Sequence, residues 1–406
     1  MNNRIRLLSA VLVLTLSTFA MSIETDRTWY LAGETMEVGV TVDDAMIAYA
    51  ELCDTHSMAA GVVINLQGGV GKGFVELPLS LHNGYYVLSV YTRHNTDVSQ
   101  RLVAIVNPLR KSKDDDIEWV SCDGQSWGQT AWKQEPVLMT TQKAVDVRES
   151  EGHIIKARVQ NVFGGNTYNS SQIRPSIGIV GKQIHYFEGK MVNDSMAVFN
   201  TYGVHGKLPL VLSAVSSSGV SLPIEMISPF ATLLPKELPH LVFHYNRSEV
   251  EAHSLDMQRH QMAIAPAEEG VSLDYEETVF GNEPDLTYNL DEYRQFLTIR
   301  EVLLEYVNCV SNLRINDIPQ LIVHVGMAPS TSLWPSLVLI DGMPVINIER
   351  LLNYDARRIH YINIYGGQYT FGNGVYHGIL SFVTRSGRLT NYPTEPNTQY
   401  LVYDFP

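Results

Sequence analysis

A chain of 406 residues, 45% of them hydrophobic and 18% charged, can bury several cores, which excludes a disordered or low-complexity protein and predicts about two or three domains. Its 29 basic residues against 43 acidic ones leave a formal charge of −14, the wrong sign for a nucleic-acid partner. Three widely separated cysteines, Cys53, Cys122 and Cys309, allow at most one pair and no disulfide framework.

Residues 1–20 combine Arg4 and Arg6, an apolar run from Leu7 to Leu16, and Thr18 and Ala20 at small-residue cleavage positions, which predicts a secretory signal peptide and a mature chain outside the cytoplasm. No second long apolar run follows, so no transmembrane segment is expected after it. Residues 21–108 read as a first β-sandwich. Met36, Val38, Val40 and Val42 alternate with Glu37, Gly39 and Thr41 at the period of a half-buried strand, and "AGVVINL", "FVELPL" and "YYVLSVYT" have strand length and turn punctuation. Between the first two lies "QGGVGKG", residues 67–73. A phosphate loop needs a glycine where Leu66 stands and a hydroxyl where Gly73 stands, and no helix follows to cap a phosphate. The run therefore predicts a chain reversal between strands with Lys72 in solvent.

Residues 109–235 predict a second sandwich, opening on the charge-dense "RKSKDDDIEW", a solvated linker in which Asp114 to Asp116 lack the alternating spacing and glycine of a calcium loop. Ile155, Ala157 and Val159 alternate with Lys156 and Arg158, and "PSIGIVG", "MAVFNTYG" and "LPLVLSAVSSSG" follow at turn-punctuated intervals. Residues 236–280 predict a linker with a helix from Glu249 to about Ala263, carrying Val250, Leu255 and Met262 as its apolar positions. His240, His244, His253 and His260 lie here, but "HLVFH" reads as a strand and no zincin glutamate adjoins it, so no metal is expected.

Residues 281–390 predict a small α+β module. "TIREVLLEYV" opens with a capping box, Thr298 and Glu301, and places Ile299, Val302, Leu303, Tyr306 and Val307 on one face. "QLIVHVG", "SLVLIDGMPV", "HYINIYGG" and "GILSFVTRSG" read as strands, with helical spacing at Ile348, Leu351 and Leu352 between the second and third. Residues 391–406 read as a C-terminal tail. The fold class expected is therefore mainly β: two immunoglobulin-like β-sandwiches followed by a small α+β domain.

The last module resembles the plug domain of TonB-dependent outer-membrane receptors. The matching positions are Leu339, Ile340, Asp341, Gly342 and Pro344; Ile359, Ile362 and Ile364; Phe371 and Gly372; and Gly378, Ile379, Phe382 and Thr384. A receptor plug precedes a barrel of about twenty-two strands of roughly ten residues each. Too few residues follow Thr384 for one, so a plug without its own barrel is expected, and a recognisable TonB-binding box is also missing. Upstream, "TDRTWYLAGETMEV", "YAELCD" and "GKGFVELPLSLHNGYYVLSVYT" resemble the macroglobulin-type sandwich of Bacteroidota surface and periplasmic proteins that end in a plug-like module. The thioester stretch of protease-trapping macroglobulins is absent.

The residues divide into two kinds. Asp341, Gly342, Pro344, Gly366, Gly367, Gly372 and Gly378 are read as turn and fold positions: glycine supplies positive φ and Asp341 caps the turn through its side chain. Tyr365, Tyr369, Phe371 and Tyr376 in "YGGQYTFGNGVYHG" are read as an exposed aromatic interface for a protein partner. No serine lies in a nucleophile elbow and no cysteine has an activating neighbour, so no catalytic residues, cofactor or enzyme activity are expected. What the resemblance implies is a non-enzymatic periplasmic protein, associated with the outer membrane, that plugs or gates a β-barrel supplied by another chain. A wide type IX secretion translocon of Bacteroidota is a pore that would need such closure. The alternative is an extracytoplasmic glycan- or peptide-binding protein reusing the plug-like scaffold, to which the closely spaced Trp119, Trp127 and Trp132 contribute.

Overall fold

The computed structural model describes residues 21–122, 146–181, 184–264, 280, 283–315, 317–325, 336–372, 374–389 and 392–406, with the side chains of 260–264 excepted; the expected signal peptide, Trp127, Trp132 and the side chains of His260 and Met262 lie outside that set. The chain is mainly β. In the first region β1 (Ser22–Thr25), β2 (Trp29–Leu31), β3 (Thr35–Thr41), β4 (Ile47–Cys53), β5 (Met58–Asn65), β6 (Val70–Glu76), β7 (Gly84–Tyr91) and β8 (Val98–Val106) form two sheets, ordered β1-β3-β6 and β2-β8-β7-β4-β5. The alternation of β3 sends Met36, Val38 and Val40 into the space between the sheets, where they meet Ala50, Leu52, Tyr86 and Leu88. β6 follows β5 across a two-residue reversal in which Gly68 and Gly69 have φ of 60° and 82° and Gln67 bridges Val70. Lys72 points outward and pairs with Glu37. The glycine-rich run is thus a sheet-to-sheet turn.

β9 (Ile117–Ser121) corrects the expectation for 109–235. It lies on the first sandwich, not in the second, pairing in parallel with β19 (Leu241–Tyr245). Together they cover the outer face of the five-stranded sheet, with Leu241 and Phe243 buried against Leu31, Tyr85 and Val87. The acidic run before it hides a strand in which Ile117 packs on that cluster.

The second sandwich contains β10 (His153–Val159), the small hairpin of β11 (Val162–Phe163) and β12 (Asn166–Thr167), β13 (Ile173–Ile179), β14 (His185–Glu188), β15 (Lys190–Asn193), β16 (Met196–Thr201), β17 (Gly206–Ser216) and β18 (Ile224–Ile227). One sheet runs β15-β16-β10-β18 and the other β14-β13-β17. After β19, helix α1 (Arg247–Ile264) packs on the first sandwich. Val250, His253 and Met257 face inward at three- and four-residue spacing, whereas Leu255, expected on the apolar stripe, is 54% exposed and lies off it.

The C-terminal module comprises β20 (Leu286–Asn289), α2 (Ile299–Glu305), β21 (Val310–Ile315), β22 (Ile318–Val323), β23 (Leu337–Ile340), β24 (Met343–Pro344), α3 (Ile348–Leu352), β25 (Ile359–Phe371) and β26 (Gly374–Thr384), with a sheet ordered β20-β25-β26-β23-β24. The capping box forms as the residues require: the Thr298 hydroxyl accepts from Glu301 N at 3.3 Å, and Glu301 Oε2 accepts from Thr298 N at 3.0 Å. Ile299, Val302 and Leu303 of α2 and Leu351 and Leu352 of α3 bury one face of the sheet. The other face rests on the second sandwich. The expected tail is corrected: β27 (Gln399–Phe405) returns to pair antiparallel with β17, because Leu401, Tyr403 and Phe405 alternate inward and complete the second core. No described helix is long and apolar enough to cross a membrane.

A buried polar joint ties the first sandwich to the second and to β27. Glu149 Oε1 accepts from the Tyr49 hydroxyl at 2.6 Å, from Ile154 N at 2.8 Å and from Arg93 Nη1 at 3.2 Å. His153 Nδ1 lies 3.1 Å from the same carboxylate, and its Nε2 lies 2.6 Å from the Tyr403 hydroxyl. A neutral ring protonated on Nδ1 satisfies both: it donates to Glu149 and accepts from Tyr403. Burial holds His153 below its ordinary value. Burial alone would raise Glu149, but the His153 hydrogen bond and the Arg93 charge hold it below the usual carboxylate range. Both groups bind fewer protons folded than unfolded, so their stabilisation is complete above about pH 6.5 and is lost on acidification, first through His153 and then, below about pH 4.5, through Glu149. Tyr403→Phe, which leaves the ring nitrogen unpartnered, should cost about 1–3 kcal/mol in urea unfolding at neutral pH. His153→Gln should remove the part of the pH dependence that sets in first as the pH falls below about 6.5.

Candidate functional site: the joint beneath the C-terminal module

β23 ends in Asp341-Gly342, and both residues take positive φ, 46° and 90°. Asp341 is 1% exposed. Its carboxylate accepts from Thr384 N at 2.7 Å, Thr384 Oγ1 at 2.5 Å and Leu389 N at 2.8 Å, tying the end of β23 to the end of β26 and the turn beyond. Burial pushes this carboxyl above its ordinary range, while the donors from Thr384 and Leu389 oppose the shift. The left-handed conformation at a non-glycine residue is held by that set of hydrogen bonds. Three donors from the end of β26 and the turn beyond it make Asp341 an anchor of the module.

Gly342 meets a backbone. A Cβ there would collide with the Ile179 carbonyl oxygen of β13, and one on Gly178 would collide with the Gly342 carbonyl and lie 2.7 Å from Pro344 Cδ. Gly181 N donates to the Asp341 carbonyl at 3.2 Å across the same seam. The other glycines serve similar approaches: a Cβ on Gly372 would strike the Glu188 carbonyl, one on Gly378 would lie 2.7 Å from Val323 Cβ, and one on Gly366 2.5 Å from the Val325 carbonyl. Gly366 N also donates to Asp285 at 2.6 Å. Gly367 alone of the five motif glycines has no close neighbour, and its φ of 87° reflects the bulge in β25.

The aromatic residues expected to face a partner turn inward. Tyr365 is fully buried and Tyr376 is 7% exposed; Tyr369 and Phe371 are half-buried against the same cluster, which includes Ile184 and Tyr186 of the second sandwich. The reason is pairing chemistry that lies far away in sequence. Tyr376 donates to Glu188 Oε2 at 2.5 Å and accepts from Arg174 Nη2 at 2.9 Å, with the Tyr186 hydroxyl at 2.8 Å. Arg174 grips Glu188 with two bonds, Nε to Oε1 at 3.1 Å and Nη2 to Oε2 at 2.9 Å. Burial pushes the Tyr186 phenol up to about 12 and Tyr376 well above its ordinary value, so both stay protonated as the network needs. Arg174, Tyr186 and Glu188 were not singled out in the sequence; the available signal is Glu188 at the end of the apolar strand "HYFE".

Beside this network a cleft of about 230 Å³ opens between the β13–β17 face and β22–β24, with Ser176, Ser213 and Gln320 as polar lining and Val338, Val345 and Ile346 as apolar lining. The histidines of the 236–280 region do not converge. His240 pairs with Asp116, and His253 stacks on Trp29 at 4.2 Å and pairs with Glu34. Among the described residues no group of three potential metal ligands occurs.

No protein-family description matches the chain, and no curated protein matches it. Among solved structures it is similar to a biofilm associated protein (BSP domain) at 12% identity and a TM-score of 0.18, over 53% of this chain and 30% of that one. It is similar to the native conformation of E. coli alpha-2-macroglobulin at 11% identity and a TM-score of 0.20, over 52% of this chain and 14% of that one. The chain thus spans less than a third of the length of either. Likenesses of this size assign no family.

Gly342→Ala combines a forbidden φ with a backbone collision and should lower stability by more than about 3 kcal/mol, whereas Gly367→Ala, strained in φ alone, should cost about 1–2 kcal/mol. Urea midpoints of the two variants check the difference.

Proposed function

We propose that this is a non-enzymatic periplasmic protein, associated with the outer membrane, whose C-terminal module is plug-like and closes or gates a β-barrel supplied by another chain, a type IX secretion translocon being the partner class. One observation carries the reading. The blocks that resemble a receptor plug assemble into one sheet in which the Asp-Gly turn and the closing threonine meet: Asp341 accepts both the backbone and hydroxyl donors of Thr384. β23 and β26 run parallel, β25 and β26 form the long hairpin, and both helices lie on a single face.

The docked sheet face moves the partner surface. With Tyr365 and Tyr376 used internally, the module offers its helix-bearing side, where Leu297, just before the Thr298 cap, and Leu304 of α2 are 64% and 73% exposed. The sandwiches serve as the tether. A closure element gains from being rigid, since an ordered surface loses less entropy on binding than a mobile one.

A photo-crosslinking residue at Leu304 should capture an outer-membrane β-barrel protein in cells, and one at Tyr376 should not. Recovery of no barrel from Leu304 would refute the proposal, and capture of the same barrel from Tyr376 would show that the module leaves its sandwich to bind.

A further inference from the structure

Far from the joint, the first sandwich carries a second cleft of about 470 Å³, bounded by the loops after β6 and β8, by β9 and by the start of α1. One wall is aromatic. Trp119 on β9 is 40% exposed and is held edge-on against Tyr245 at 5.5 Å and 83° and against the buried Phe243 at 5.5 Å and 90°. Its orientation is therefore fixed by neighbours although much of its surface meets solvent.

The remaining lining sets three cations, Arg110, Lys111 and Arg247, beside two carboxylates, Asp115 and Glu251, on a rigid base. Asn83 and Asn107, 3% and 4% exposed, lock two loops together: Asn83 Oδ1 accepts from Asn107 N at 2.6 Å, and Asn107 Nδ2 donates to the Leu81 carbonyl at 2.8 Å. Asp115 is occupied within the same base, accepting from Asn83 N and Ser112 N, both at 2.9 Å. This pins the segment that presents Arg110 and Lys111, both exposed. Arg247 joins them from α1, and the second carboxylate of the cleft, Glu251, pairs with it at 2.9 Å. In a chain of formal charge −14, the carboxylates here are committed to local partners while Arg110 and Lys111 face the opening.

We propose that this cleft binds a carboxylate-bearing saccharide of the uronic-acid type. The apolar C–H face of a sugar ring packs on Trp119 and Tyr245, and its carboxylate is met by Lys111 and Arg110. An acidic peptide could use the cations, but its flexible side chains would leave the exposed indole of Trp119 without a flat partner. A free inorganic anion would leave the aromatic wall unused.

Titration calorimetry with the intact chain tests this, using tetragalacturonate, its full methyl ester and tetraglutamate. The expected result is binding of tetragalacturonate, with the ester at least about tenfold weaker because the charge-assisted bonds are lost. Trp119→Ala should weaken binding by about tenfold or more, and Lys111→Gln, at an exposed position that leaves folding intact, by about fivefold. Absence of tetragalacturonate binding at millimolar concentration, equal affinity for the ester, or equal affinity for tetraglutamate would each overturn the proposal.

Discussion

The close approach of β13 and the end of β23 is the constraint on which the C-terminal half depends. Two peptide backbones touch at Gly178 and Gly342, and a side chain at either position would occupy space already held by the other strand. Asp341, one residue earlier, is forced into a left-handed conformation and is kept there by three hydrogen bonds inside its own module. The seam then places Tyr376 over Glu188 and Arg174, where a buried carboxylate has a bidentate cation and a phenol donor. Removing one partner would leave a charge without compensation in a low-dielectric setting, which costs more than the pair contributes when intact.

The same device recurs along the chain. Glu51, fully buried in the first sandwich, accepts from the Tyr91 hydroxyl and from the backbone amides of Thr232 and Leu233, holding the segment that leaves the second sandwich. Glu149 does this between the two sandwiches, and Glu188 between the second sandwich and the C-terminal module. At each joint a buried carboxylate collects several donors from a distant part of the sequence. Part of the acidic excess is thus structural, and the relative placement of the domains rests on directional bonds as well as on apolar area.

Much of this architecture was legible in the sequence because local signals agreed with one another. Alternation located β3 and β10, glycine with positive φ explained the reversal at 67–70, and Thr298 with Glu301 marked the start of α2. The Asp341-Gly342 turn was read as structural from its residue types, and its bonds to Thr384 and Leu389 had no signal in the sequence. What escaped depends on partners remote in sequence. The aromatic run from Tyr365 to Tyr376 has the composition of an interface, and it is one, but the partner is β14 of the same chain. β27 carries a clear alternation at Leu401, Tyr403 and Phe405 yet has no local feature that distinguishes a returning strand from a tail. β9 was obscured by the preceding aspartates, and the inward stripe of α1 by the competition between Leu255 and Met257, which only the shape of the sandwich beneath decides.

Amide hydrogen exchange measured strand by strand tests most directly whether the C-terminal module and the second sandwich act as one body. If the seam binds them as described, β13, β23 and β26 should exchange with a common opening free energy, equal to within about 0.5 kcal/mol. Fast exchange throughout β23 and β26 while β13 remains protected would mean that the module opens independently, and would contradict the account.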